Sequence, residues 1–201
     1  MNLLATMVLR RIFLILTLGV AVAACKNTST SLSPSAVDSL KTVFQDINGQ
    51  LELSWNQMMA DDDAKLDNLR RILQEVEYSG NYNRLKLDTL KQHIDNLQQV
   101  RYDQQTMSDS DLINLYDSIT TQVMGEVTIF TTRLEQFEQY PIMGQLLQEA
   151  FEADDRVLRY RIDYDRTAKQ YNAFINDHQE HLPLVAKQKE LQPKPLFELQ
   201  N

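Results

Sequence analysis

Acids, bases and tyrosines that interrupt an apolar helical face are the natural places to look for chemistry. In this chain they gather near the C-terminal end, where Asp154, Arg161 and Asp165 fall on or beside an inward-facing stripe that also carries Tyr164 and Tyr171, with Asn172 next to it. In a helical protein such a set could be a binding site for a small molecule inside the bundle. It could equally be a buried pairing network, Arg against Asp and tyrosine hydroxyl, that fixes how helices align. The second reading is the simpler, because a buried guanidinium needs a carboxylate wherever it occurs. No catalytic residue is assigned.

Other polar groups argue for less. His178-x-x-His181 could place two imidazoles on one turn, and His93 is the third histidine. A di-iron bundle, however, needs Glu-x-x-His on two helices with partner glutamates, and that pattern is missing. Asp61-Asp62-Asp63 lacks the glycine and the alternate-residue spacing of a calcium loop and reads as a solvated face or a kink. There is no Gly-x-Ser-x-Gly, P-loop or Gly-x-Gly-x-x-Gly. The expectation is a protein without enzymatic activity, metal or cofactor.

Cys25 is the exception. Arg10-Arg11 is followed by an apolar run of roughly 13 residues ending in Val22-Ala23-Ala24-Cys25. That is shorter than the ~20 residues a spanning helix requires. A basic start, a short apolar stretch and small residues before the only cysteine describe a secretory leader over 1–24 with a lipobox, and Met7 offers an alternative start. Cys25 would be alkylated by a diacylglycerol and become the acylated N-terminus. Two or three acyl chains, at about 0.8 kcal/mol per buried methylene, anchor a protein permanently. Lys26 stands where an Asp would signal inner-membrane retention in enteric bacteria, so in a host with two membranes the outer one is the expected destination. Residues 25–34, rich in Ser and Thr, read as a polar tether.

Charge narrows the partners. The net charge of −8 becomes −10 once Arg10 and Arg11 leave with the leader, which repels phosphate backbones and argues against nucleic acid. With one cysteine no internal disulfide can form, so packing alone must hold the chain.

The elements that position these residues are helices. Five glycines and five prolines in 201 residues, with Leu, Gln, Glu, Lys, Arg and Ala abundant, describe an all-α domain over 35–201. Val37, Leu40, Phe44, Ile47, Leu51, Trp55, Met58, Leu66, Leu69, Leu73 and Val76 keep a spacing of three and four, with one step missing at Asp62. They predict a first helix of roughly 45 residues, about 65 Å, ending at Ser79-Gly80-Asn81, with Gly49 or the aspartate run as possible breaks. A second helix is expected from about Asn81 to Gln105, with Leu85, Leu90, Ile94, Leu97 and Val100 inward. Ser110 is a candidate cap for a third, carrying Leu112, Leu115, Ile119, Val123, Val127, Phe130, Leu134 and Phe137 inward and ending at Tyr140-Pro141. A fourth runs from about Gly144 to Asp177 through Leu147, Ala150, Val157, Tyr164, Ala168, Tyr171 and Ile175. Short connections favour an antiparallel bundle of about four long helices. The tail, with Pro183, Pro193 and Pro195, is expected to lie along the bundle through Leu182, Leu184, Val185, Leu196 and Phe197.

The last long helix carries Tyr140-Pro141, Leu147-Gln148-Glu149, Arg156-Val157, Arg161, Tyr164-Asp165 and Tyr171-Asn172 in that order. With Trp55-x-Gln57 in the first helix and Gln192-Pro-Lys-Pro-Leu-Phe-Glu198 in the tail, this order resembles the LemA family. The resemblance implies a membrane-associated helical protein and no enzymatic activity, with lipid on Cys25 replacing the family's N-terminal membrane segment. The chain departs from the family pattern at Asp61-Asp62-Asp63, where relatives carry a basic cluster, and at Asp165, where they carry Asn. A protein-interaction or scaffold module of the cell envelope, with an envelope protein as partner, is the function these features suggest together. The alternative is a bundle that holds a small molecule or metal.

Overall fold

The computed structural model describes residues 32–135, 137–188 and 190–197. The expected leader, Cys25 and most of the tether therefore lie outside the described residues. Those residues are helical throughout their regular structure and contain no strand. The helices are α1 (Pro34–Ser79), α2 (Arg84–Val100), α3 (Ser110–Thr132), α4 (Pro141–Asp177) and a single turn, α5 (Leu182–Val185). Short 3-10 turns at Phe137–Gln139 and Gln179–His181 flank α4. Among the described residues, no helix is long and apolar enough to cross a membrane. The chain divides into a unit ending at Ala36 and a compact unit from Val37 onward.

α1 is one unbroken helix of 46 residues, about 69 Å at 1.5 Å per residue. Ser33 starts it by accepting a hydrogen bond from the Ala36 amide at 3.2 Å, with Pro34 at the first helical position. Gly80, at φ +77°, stops it in the left-handed conformation that a side chain would resist. Neither expected break materialises. The aspartate run stays helical because each carboxylate meets a cation: Asp61 meets Arg156, Asp62 meets Lys65 and Arg101, and Asp63 meets Arg101.

α2 is shorter than expected at both ends. Asn83 caps its start by accepting from the Lys86 amide. Leu85 faces outward, and Leu87, Leu90, Ile94 and Leu97 are fully buried. Beyond Val100 the Asp103 carboxylate accepts from the amides of Gln105 and Thr106, a turn that competes with the helix and ends it.

α3 corrects the expected phase. Asp109 rather than Ser110 is the cap, accepting from the Asp111 and Leu112 amides. The buried residues of its first half are Ile113, Tyr116 and Thr120, each one position after Leu112, Leu115 and Ile119. A one-residue shift rotates the face by about 100°, leaving Leu115 half exposed. The gain is Tyr116, whose hydroxyl reaches Asp62 in the interior. Val123 and Val127 are buried as expected, but the helix ends at Thr132, short of Phe137. In α4, entered through Pro141, all seven expected inward residues are buried.

Two cores result. The larger joins the middle and C-terminal part of α1 to α2, α3, the first two-thirds of α4 and Phe197. A smaller one gathers Phe44, Tyr171, Phe174, Ile175, Leu182 and Val185. Each fully buried leucine in them contributes roughly 1.5–3 kcal/mol. The tail reaches the core through Leu182, Val185 and Phe197, while Leu184 points to solvent.

Candidate functional site

The missing apolar step in α1 is the centre of a buried polar network. Asp62 and Lys65, one turn apart, are 2% and 1% exposed, and Lys65 Nζ lies 2.7 Å from Asp62 Oδ1. Lys65 also reaches Asp154 Oδ1 of α4 at 3.0 Å. The other Asp62 oxygen accepts from the Tyr116 hydroxyl and from Arg101 Nη1 at 3.1 Å. Arg101 in turn donates to Asp63 at 2.6 Å. Burial alone would raise the Asp62 pKa, but Lys65, Tyr116 and Arg101 outweigh it and hold the carboxyl below its ordinary value. The same burial, with the Asp62 charge, pushes the Tyr116 phenol far up.

A second pairing lies beside it. Arg161 is 4% exposed and grips Asp117 with two parallel bonds of 2.6 and 2.7 Å. Its Nε and Nη2 donate to the Tyr102 hydroxyl at 3.1 and 2.7 Å. The guanidinium also sits 5.4 Å from the Tyr102 ring and 5.3 Å from that of Phe197. Burial pushes Tyr102 up to about 12 despite that cation. Desolvation opposes the Arg161 charge, but Asp117 and Tyr102 prevail and its pKa rises. A bidentate Arg156–Asp61 pair at 2.9 Å ties α4 to α1.

The six residues singled out from the sequence separate into four groups. Asp154 and Arg161 belong to the charge pairs. Tyr164 stacks edge-on against Trp55 and Phe197 in an aromatic cluster completed by Tyr102. Its buried hydroxyl has no hydrogen-bond partner among the described residues, and burial, then Asp165 and Glu52, takes its pKa to about 12. Asp165 and Asn172 hold the C-terminal segment. Asp165 accepts from the Phe197 amide at 2.8 Å, and the Asn172 side chain bonds both the amide and the carbonyl of Lys194 at 2.7 and 2.8 Å. Tyr171 lies apart, against Phe44 in the smaller core.

Asp62, Lys65, Arg101, Tyr102, Tyr116 and Asp117 escaped the sequence reading. The signal for the first two was the gap in the apolar period itself, filled by an acid and a base three residues apart. Nothing local marks Asp117 or Arg101, whose partners are 44 and 39 residues away.

These groups are poorly suited to proton transfer at neutral pH. Asp62 is held low, while Tyr102, Tyr116 and Arg161 are held high, so none of the four titrates near 7. Each charge is already neutralised by a neighbour. What the arrangement does is lock α1, the Arg101-Tyr102 corner, α3 and α4 into one alignment, because a slip would strand a buried charge. Among the histidines, His93 faces Glu126 and His178 packs on Phe174. Among the described residues no three His, Cys, Asp or Glu side chains converge on a metal position.

Comparison with protein-family models, with curated proteins and with solved structures finds no match to this chain.

Proposed function

We propose that this chain is a lipid-anchored envelope protein of LemA type, attached through Cys25, whose helical body serves as a non-enzymatic docking module for another envelope protein. The observation that carries this reading is the contrast between inside and outside. The interior charges are committed to one another, whereas large apolar side chains stand half exposed on α3 and α4. Ile129, Phe151 and Leu158 are 51%, 47% and 47% exposed. Ile129 and Phe151 border a groove of about 330 Å³ between the two helices, floored by Met124, Gly125 and Thr128. Exposed apolar side chains beside a groove are what an interface requires before its partner arrives. The leader, Cys25 and the order of the α4 and tail motifs support the envelope assignment, and Lys26 supports the outer membrane in a two-membrane host. Chain directions inferred from Arg161–Asp117 and from the Phe151–Ile129 groove support antiparallel packing of α3 and α4 within a four-helix bundle.

The test is in-cell photocrosslinking from positions 151 and 158, followed by purification, in the wild type and in a Cys25→Ala form kept in the same compartment. A discrete protein adduct that weakens in Cys25→Ala is the expected result. Absence of an adduct at both positions would sink the docking reading.

A further inference from the structure

A second groove, of about 480 Å³, opens over the smaller core, between α1, α4 and the C-terminal segment. Its volume lies in the usual range for small-molecule sites. Phe44, Tyr171 and Leu191 make the apolar wall, Gly49 makes an opening in the α1 side, and Glu52 and Lys194 bring one charge of each sign. We infer that this groove binds a small amphoteric molecule with an apolar body, a free hydrophobic amino acid, with its ammonium at Glu52 and its carboxylate at Lys194.

The two charges carry the argument. Glu52 and Lys194 line the same groove, yet neither forms an ion pair with the other or with any described residue. Opposite charges that share a groove without closing on each other leave room for a bridging ligand. An anion alone would be repelled by Glu52 and a cation alone by Lys194, whereas a zwitterion satisfies both. Asn48 and Gln188, also in the lining, supply amides for the remaining donors and acceptors.

The walls are built rather than incidental. Asn172 clamps the backbone of Lys194 on both sides, and its ammonium rests 5.8 Å from the centre of the Tyr171 ring. A cation held over a ring keeps its N–H donors available to a carboxylate. Lys187 takes φ +57°, a left-handed backbone uncommon outside glycine, between two groove residues, Ala186 and Gln188. On the opposite side Gly49 lies mid-helix, where alanine would be favoured. A Cβ there would meet nothing within 4 Å. Packing therefore does not demand the glycine; the open space beside it is space a ligand can use.

Calorimetric titration of the purified chain with L-phenylalanine tests this, beside N-acetyl-L-phenylalanine, L-phenylalaninamide and the dipeptide Phe-Leu. Saturable one-to-one binding of phenylalanine is expected, weakened roughly tenfold or more in each blocked derivative, because each loses a charge-assisted contact. Equal or tighter binding of the dipeptide would identify a peptide rather than a free amino acid as the source of the two termini. In Glu52→Gln the preference for phenylalanine over its N-acetyl form should vanish, and in Lys194→Met the preference over the amide should vanish. Gly49→Leu should abolish binding while the melting temperature holds or rises, which separates loss of the site from loss of the fold. No saturable binding of phenylalanine or leucine at millimolar concentration, or binding indifferent to Gly49→Leu, would overturn the proposal. Neither result depends on the α3–α4 docking surface.

Discussion

Replacing Lys65 with methionine, which keeps most of the length of the side chain and removes its charge, is the sharpest perturbation of the interior. Lys65 is 1% exposed, with its ammonium 2.7 Å from Asp62 and 3.0 Å from Asp154. Asp154 is 40% exposed and can turn to water. Asp62 is 2% exposed and cannot. Removing one member of a buried pair typically costs about 3–5 kcal/mol, chiefly because the other charge stays buried without compensation. Here Asp62 keeps Arg101 and the Tyr116 hydroxyl, so the lower end, about 3 kcal/mol, is the expected loss. For a chain of this size that lowers the melting temperature by roughly 6–12 °C. Urea unfolding followed by far-ultraviolet circular dichroism, with an unchanged slope, measures it directly. The partner variant Asp62→Asn completes a cycle. The double variant should lose less than the sum of the two, with a coupling of about 1–3 kcal/mol. A cost for Lys65→Met under about 1 kcal/mol, or strict additivity, would refute the claim that this buried pair is the centre of the network that holds the helices in alignment.

The Asp62 carboxyl is held below its ordinary pKa, so its ionic stabilisation is fully present above about pH 4 and is lost as pH falls through the lower folded value. The stability gap between wild type and Asp62→Asn should therefore narrow in acid. At the alkaline end Tyr102 and Tyr164 are raised to about 12, so the stability they confer is intact below about pH 10 and disappears as pH climbs through 12. Phenolate absorbance should show a late step, belonging to Tyr102 and Tyr164, that coincides with unfolding. Trp55 is the only tryptophan and stacks on Phe197 at 6.4 Å, so Asn172→Ala, which frees the Lys194 backbone, should shift its emission to longer wavelength and cost about 1–2 kcal/mol. Gly49→Ala should stabilise the chain by about 1 kcal/mol in urea unfolding, since the new methyl has open space.

The period of the apolar residues was enough to recognise α1 to within about a residue at each end, because capping residues Ser33 and Gly80 coincide with the limits of the pattern. It also placed the end and the inner face of α4, although that helix begins at Pro141 rather than at Gly144. It misplaced the inner face of the first half of α3, where Leu112-Ile113 and Leu115-Tyr116 offer two apolar phases one residue apart. The choice between them rests on Asp62, 54 residues away, which accepts from the Tyr116 hydroxyl and so draws the phase of Tyr116 rather than that of Leu115 inward. Asp61-Asp62-Asp63 misled for the same reason. Three adjacent acids look solvated unless the cations that meet them are known, and Arg101 and Arg156 arrive from distant segments. Arg161 was legible as an inward base, but its partners Asp117 and Tyr102 were not. The groove over the smaller core was invisible to periodicity, since four of its nine lining residues come from the irregular segment after α5.

The proposal that this chain is a tethered docking module is tested most directly by photocrosslinking from Phe151 in living cells, with a probe at exposed Gln74 on α1 as the control. The account predicts one discrete protein adduct from position 151, none from position 74, and a weaker adduct when Cys25→Ala removes the lipid. No adduct from position 151 or from position 158, or the same adduct from position 74, would contradict it.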